Sequence, residues 1–267
     1  SNGASFSIAP EVYRTLGAKV TLINANPDGY NINLNCGSQH TQTLADTVVE
    51  LNADIGIAHD GDADRCILID ETGREVDGDK IMAITANYYR ESNRLTNDLV
   101  IATVMSNLGF EKYVSERGMN LVRTRVGDRY VLEEMKKLGA MIGGEQSGHI
   151  IYFDRNTTGD GLITSLTVLE TMNHFGKKLS SLINDIPRFP QVLKNIRIHD
   201  KEKVMESAQL SEALERARDI LKNTGRILIR PSGTEPLIRI MIEGNNEEQI
   251  TELANDLLAT VEGINAR

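Results

Sequence analysis

In the first 175 residues, apolar runs of strand length alternate with segments whose apolar residues recur at helical spacing, which confines the chain to layered α/β architecture. Strands are predicted over residues 19–23, 55–58, 66–69, 99–103, 141–143 and 150–153, and helices over 10–16, 43–51, 80–91, 107–117, 129–138 and 159–175. The alternation breaks at "IPRFPQ", where Pro187 and Pro190 stop any helix and mark a linker. A compact set follows, with strands over 192–198, 225–230 and 237–243 and helices over 211–223 and 247–261. The expected fold is a set of α/β layers followed by a small C-terminal α+β domain.

Composition narrows the function classes. A length of 267 residues fits two or three domains with real cores. No apolar run reaches the eighteen or so residues that a membrane helix needs. A net charge of −9 argues against nucleic acid as partner, because phosphate-backbone binding requires clustered Lys and Arg. Cys36 and Cys66 form no Cys-x-x-Cys pair, which suits a reducing cytoplasm. The N-terminus has neither the basic nor the apolar region of a signal peptide. Its opening reads as entry into the middle of an α/β unit, with a natural start expected upstream of Gly3.

Three segments carry chemistry. In "HDGDADRCILID", Asp60, Asp62 and Asp64 stand at alternate positions just beyond an apolar strand. Like charges that close repel by several kcal/mol at the effective dielectric of a protein surface, so a cation is expected among them. Three carboxylates turned inward suit a hard cation with oxygen ligands, Mg²⁺ first, and Arg65 adds a second positive group. An EF-hand would need Gly where Arg65 stands. A phosphatase loop of the Asp-x-Asp type would need a smaller or hydroxylated residue in place of the third aspartate. An acidic surface turn would use the same residue types.

In "GGEQSGHIIYF", an extended backbone would project Glu145, Ser147 and His149 from one face. Carboxylate, hydroxyl and imidazole together suit sugar hydroxyls, which both donate and accept. In "RILIRPSGTEPLIR", Arg230, Ser232, Gly233 and Thr234 offer a guanidinium fork, hydroxyls and turn N–H groups to a phosphate anion, with Arg239 on the returning strand. "RTRVGDRY" is weaker, since Gly127 and Asp128 could equally start the next helix.

Taken in order, "NINLNCGSQH", "DGDADR", "TRVGDRY", "GGEQSGH" and "RPSGTEPLIR" cover nearly the whole chain and resemble the α-D-phosphohexomutase family. Gln146, "RPSGTEP" and "NINLNCGS" favour its glucosamine branch over the phosphomannomutase and phosphoglucomutase branches. The resemblance implies a cytoplasmic, four-domain isomerase of amino-sugar and peptidoglycan-precursor metabolism. It would interconvert hexosamine 6-phosphate and 1-phosphate through a bisphosphorylated sugar, an enzyme phosphoserine and Mg²⁺. Carried over by motif, Asp60, Asp62 and Asp64 would hold the metal and Arg65 would sit beside the transferring phosphoryl. Gly127, Asp128, Glu145, Ser147 and His149 would hold the sugar, while Arg230, Ser232, Gly233, Thr234 and Arg239 would clamp the other phosphate. The implied partners are the hexosamine phosphate and the bisphosphate, with a homodimer as the one protein partnership.

One departure matters. The family's phosphoserine lies in a Ser-His-Asn-Pro-type loop, and this sequence contains none. The resemblance then implies a segment running from late in the second domain to the end of the fourth, with mixed-sheet α/β parts at 1–75 and 76–188 and an α+β domain at 189–267, inactive as a mutase by itself. The competing reading is a non-catalytic phosphosugar-binding module.

Overall fold

The computed structural model describes residues 1–232 and 235–266. Ser1–Pro187 forms one compact unit, and the chain from Arg188 onward a second.

The first unit opens with α1 (Ile8–Thr15) and α2 (Gln42–Leu51), then an antiparallel sheet of β1 (Ile55–His59), β2 (Cys66–Asp70) and β3 (Glu75–Val76) in that order. After α3 (Gly78–Glu91) come β4 (Leu99–Thr103), α4 (Leu108–Glu116), β5 (Asn120–Thr124), α5 (Asp128–Leu138), β6 (Ile142–Gly144), β7 (Ile150–Tyr152), α6 (Gly161–Phe175) and α7 (Leu179–Ile183). Strands β4 to β7 form a second sheet, ordered β5-β4-β6-β7, in which β5, β4 and β6 run parallel and β7 antiparallel.

All five residues of β4 are buried because helices cover both faces of this sheet, as parallel strands require. Alternate side chains split between two cores. Val100 and Ala102 face Phe110 and Val114 of α4, whereas Leu99 and Ile101 face Val131 and Met135 of α5. Cys66 and Leu68 of β2 enter the same core as Val100 and Ala102, so the two sheets are joined through one apolar interior. Ile69 points the other way, onto Ala45 and Val48 of α2.

The second unit sets β8 (Gln191–Arg197), β9 (Gly225–Pro231) and β10 (Leu237–Gly244) in an antiparallel sheet ordered β8-β10-β9. Ile238, Ile240 and Ile242 project to one side, against Leu214 of α9 (Ala208–Leu221) and Leu253 and Leu257 of α10 (Glu247–Asn265). A short α8 (Lys201–Met205) precedes α9. No helix among the described residues is long and apolar enough to cross a membrane.

Most predicted elements recur within a few residues, with one correction. Residues 19–23 alternate like a strand but form none. A strand needs a partner to take its N–H and C=O groups, and this segment pairs with no other among the described residues. Short or half-buried elements escaped the sequence pattern: β3 has two residues, α7 and α8 have five each, and β5 reads Asn-Leu-Val-Arg-Thr without full burial.

The β2–β3 turn rests on one carboxylate. Asp70 is fully buried and accepts hydrogen bonds from Thr72 N (2.9 Å), Thr72 Oγ1 (2.6 Å), Arg74 N (3.0 Å) and Arg74 Nε (2.9 Å). Burial alone would raise its pKa, but these donors outweigh burial and hold the carboxyl below its ordinary value. Its contribution is therefore present at neutral pH and lost as pH falls through the depressed value. Asp70→Asn is expected to cost about 2 kcal/mol at pH 7, because a neutral amide cannot satisfy four donors. In urea titrations that difference should shrink as pH falls through the depressed value, where the parent carboxyl also loses its charge. A constant difference across pH would contradict the assignment.

Candidate functional site

Residues 60–65, the whole of "DGDADR", form the connection between β1 and β2, whose antiparallel register runs out at His59 and Cys66. This loop is held from several sides. Ser1 Oγ donates to Asp60 O (2.8 Å) and Ala4 N to Gly61 O (2.8 Å). Gly161 N, at the start of α6, donates to Ala63 O (2.8 Å). The N-terminus of a 15-residue helix thus abuts the acidic loop, where its partial positive charge favours anions. Ala63 adopts φ +64°, a left-handed conformation that costs an L-residue about 1 kcal/mol and is held here by its neighbours.

Within the loop, ligand atoms of Asp60, Asp62 and Asp64 all lie within 4.8 Å of one another. Burial pushes the Asp60 carboxyl up to about 6, with the adjoining Asp64 and Asp62 charges adding to the effect and the Arg65 N–H (3.1 Å) opposing it. Asp64 moves the opposite way: burial would raise it, but hydrogen bonding with Asp60 and His149 prevails. Arg65 Nε lies 3.7 Å from Asp60 Oδ2 and 3.8 Å from Asp64 Oδ1, a partial charge balance. Three converging carboxylates with one guanidinium leave net negative charge, and an all-oxygen donor set of this kind fits a hard divalent cation such as Mg²⁺.

The second motif docks onto the first through the backbone. Arg65 and His149 form an antiparallel bridge, and Cys66 N donates to Gly148 O at 3.0 Å. Gly148 has φ +93°, and a Cβ there would stand 2.3 Å from Cys66 O, so glycine is required. Gly78, at the start of α3, packs as tightly: its N donates to Gln146 O (2.9 Å), and a Cβ would stand 2.1 Å from Glu145 O.

The geometry corrects the expectation of an extended segment. Glu145 N donates to His149 O (2.9 Å) and Gly148 N to Glu145 O (3.0 Å), so residues 145–148 make a tight turn between β6 and β7. Glu145 and Ser147 share a rim, with Ser147 Oγ 3.4 Å from Glu145 Oε2, and Gly127 N joins them by donating to Glu145 Oε1 (3.0 Å). His149 points away from that rim and is only 4% exposed. Gly159 N donates to its Nε2 (3.1 Å), which leaves the proton on Nδ1 to donate to Asp64 Oδ2 (2.9 Å). Both ring nitrogens are thus engaged, and His149 is tied to the acidic loop through Asp64. The pairing with Asp64 was not legible, because 85 residues separate the partners. Asp128, the exposed first residue of α5, accepts from Arg129 N (2.7 Å). Glu145 and Gly127 both follow the carboxyl ends of parallel strands, where open α/β sheets place ligands.

In the second unit, Arg230 of β9 and Arg239 of β10 stand directly opposite each other. Burial, and then the neighbouring Arg239 charge, lower the Arg230 pKa. Like charges paired across strands are destabilising unless something anionic lies between them. Arg239 Nη2 donates to Glu235 Oε2 (3.0 Å), while its buried Nε has no hydrogen-bond partner. Ser232 is buried, its N donates to Leu237 O (2.8 Å), and its Oγ accepts from Glu235 N (3.3 Å). Gly233 and Thr234 lie outside the described residues.

Three family models match the chain: Phosphoglucomutase/phosphomannomutase, alpha/beta/alpha domain II over residues 1–73, alpha/beta/alpha domain III over 77–189, and the C-terminal domain over 193–260. Among curated relatives, the phosphoglucosamine mutase of Carboxydothermus hydrogenoformans is 52% identical over 262 residues, covering 98% of this chain and 59% of its own length. That of Thermosipho africanus is 48% identical, covering 96% and 58%. The chain therefore spans about three fifths of the length of these relatives. In fold it is similar to Aspergillus fumigatus N-acetylphosphoglucosamine mutase in complex with GlcNAc-6P and magnesium, with TM-score 0.78, 18% identity and coverage of 98% of this chain and 60% of that one. A Burkholderia thailandensis phosphoglucomutase/phosphomannomutase family protein gives TM-score 0.77 at 20% identity, covering 98% and 59%. With domain models in consecutive order from residue 1 to residue 260 and relatives near half-identical, the chain belongs to the phosphoglucomutase/phosphomannomutase family.

Proposed function

We propose that this chain supplies the metal, sugar and one phosphate subsite of a cytoplasmic phosphoglucosamine mutase, which interconverts glucosamine 6-phosphate and glucosamine 1-phosphate through a bisphosphate. The observation that carries the reading is the docking of the three-aspartate loop onto the Glu145–His149 turn, which supports an oxygen-only cation site beside a rim of sugar-type donors and acceptors. Relatives at about half identity bear the phosphoglucosamine mutase name, which favours glucosamine over glucose or mannose.

In this reading Asp60, Asp62 and Asp64 hold Mg²⁺, which supplies charge neutralisation for a transferring phosphoryl group. Arg65 places a guanidinium beside the same group. The Glu145 carboxylate accepts from a sugar hydroxyl and Ser147 Oγ donates to one, with Gly127 N–H keeping the Glu145 carboxylate oriented. Arg230 and Ser232, with Arg239, present guanidinium and hydroxyl donors to the phosphate not being transferred. Phosphoryl transfer needs positioning and charge neutralisation more than covalent help, which is what these side chains offer. The division into parts at 1–75, 76–188 and 189–267 follows the same roles.

Calorimetric titration of the 267-residue chain with MgCl₂ should give one site, and Asp62→Asn should weaken it by roughly tenfold or more. Unchanged affinity in Asp62→Asn removes the metal assignment. His149, as the group that orients Asp64, gives a finer test. His149→Phe should weaken Mg²⁺ by about tenfold, and His149→Asn, whose amide can still donate to Asp64, should recover most of it. Equal losses in both would point to packing instead.

Coupled assay of the purified chain should detect no conversion of glucosamine 6-phosphate to the 1-phosphate, since the sequence offers no Ser-His-Asn-Pro-type phosphoserine. Turnover above a no-enzyme control would overturn this reading of its chemistry.

A further inference from the structure

Lys201 opens α8 and reaches across to the β9–β10 connection. Its Nζ donates to Ser232 O at 2.8 Å and to Glu235 O at 3.2 Å, grasping both flanks of the "PSGTEP" loop from one ammonium. The hairpin has bonds of its own there: Ser232 N to Leu237 O, Leu237 N to Glu235 O (2.8 Å each) and Glu235 N to Ser232 Oγ. Ile198 N also donates to Pro236 O (2.9 Å), so the approach to α8 runs alongside the loop.

A carbonyl oxygen carries partial negative charge. In a loop that meets an anion, every carbonyl turned toward the ligand opposes binding, and every carbonyl held away leaves N–H groups to face it. Two carbonyls collected on one ammonium are held in place, and their charge is offset by a full positive one. The three donors of a lysine rotate around a single point and accept irregular carbonyl positions. The flank of α8 is secured independently, since Asp200 Oδ1 accepts from Lys203 N (3.0 Å) and Val204 is buried in the core.

We propose that Lys201 is a positioning residue of the phosphate subsite: it touches no ligand, but sets the carbonyls of Ser232 and Glu235 and supplies positive charge behind the loop. This rests on the reading of Arg230 and Ser232 as phosphate-binding.

The test is titration of the full chain with glucosamine 6-phosphate and with inorganic phosphate, comparing Lys201→Met, Lys201→Arg and Arg230→Met with the parent. Lys201→Met is expected to raise Kd roughly tenfold, the size of one lost charge-assisted hydrogen-bonding group, with Lys201→Arg within about threefold of the parent. Loss of affinity in Lys201→Met with recovery in Lys201→Arg supports the proposal. Lys201→Met within twofold of the parent, or Lys201→Arg as weak as Lys201→Met, overturns it. Arg230→Met separates the two levels: if it leaves phosphate binding intact, the subsite reading itself has failed, whatever Lys201 does. Should Lys201→Met not fold, Lys201→Gln, which keeps two donors without charge, takes its place and is expected to fall between parent and Arg230→Met. Parent-like affinity in Lys201→Gln would overturn the charge component.

Discussion

The candidate site in the first unit depends on one short piece of backbone pairing, where the end of the aspartate loop meets the end of the Glu145–His149 turn. The bridge between Arg65 and His149 and the hydrogen bond from Cys66 N to Gly148 O bring together two segments more than eighty residues apart. Each of these contacts is worth only about a kilocalorie per mole by itself. Their effect is large because they are made by buried groups at the mouth of a shared apolar core, where Cys66 and Ile150 are both inaccessible to water. A shift of either strand would break the pairing and separate Asp64 from His149. The glycines enforce it: at positions 78 and 148 a single added carbon would meet backbone at 2.1 and 2.3 Å.

Geometry also explains why chemistry gathers where it does. Residues 60–65, 145–148 and 232–236 each connect two antiparallel strands, and residues 125–127 leave the end of a parallel one. Strand ends are the places where backbone groups are released from ladders and side chains can turn away from a core. Cys66, Ile150, Ile229 and Ile238 anchor the neighbouring strands. The sheets therefore act as rigid mounts whose edges present polar loops, and a family can keep the mount while changing what the loops hold.

The extent to which this could be read from residues differs by distance along the chain. Period and breakers placed β4 to the residue and α3 to within two, because Leu99–Thr103 is a bounded apolar run and Asp77 caps its helix through Lys80 N. Clustering of the three aspartates was legible too, since alternate positions in a short loop must lie close. Local pattern misled where a property depends on partners: residues 19–23 alternate without a strand to pair with, and Glu145, Ser147 and His149 alternate inside a turn, so His149 faces Asp64 instead of the rim. The grip of Lys201 on Ser232 and Glu235 has the same character, since nothing in "DKEKV" signals a loop thirty residues away. Tertiary pairing sets these features, and a single sequence carries no local record of it.

Like charges gather in each unit, carboxylates at the β1–β2 loop and guanidiniums across β9 and β10. Around the acidic loop three carboxylates face one guanidinium, and repulsion together with burial already lifts Asp60 to about 6. Across β9 and β10 two guanidiniums face each other, and Arg230 is lowered by burial and by Arg239 in turn. The carboxylate ligand atoms lie within 4.8 Å of one another, and unit charges at about that separation interact by about 3 kcal/mol at an effective dielectric near 20. Folding tolerates that cost only because it is smaller than the apolar burial that holds each loop in place. On the function proposed above, a cation at the aspartates and an anion at the arginines would recover it on binding. On that reading, removing one like charge would ease the ligand-free chain while weakening its grip on the ligand.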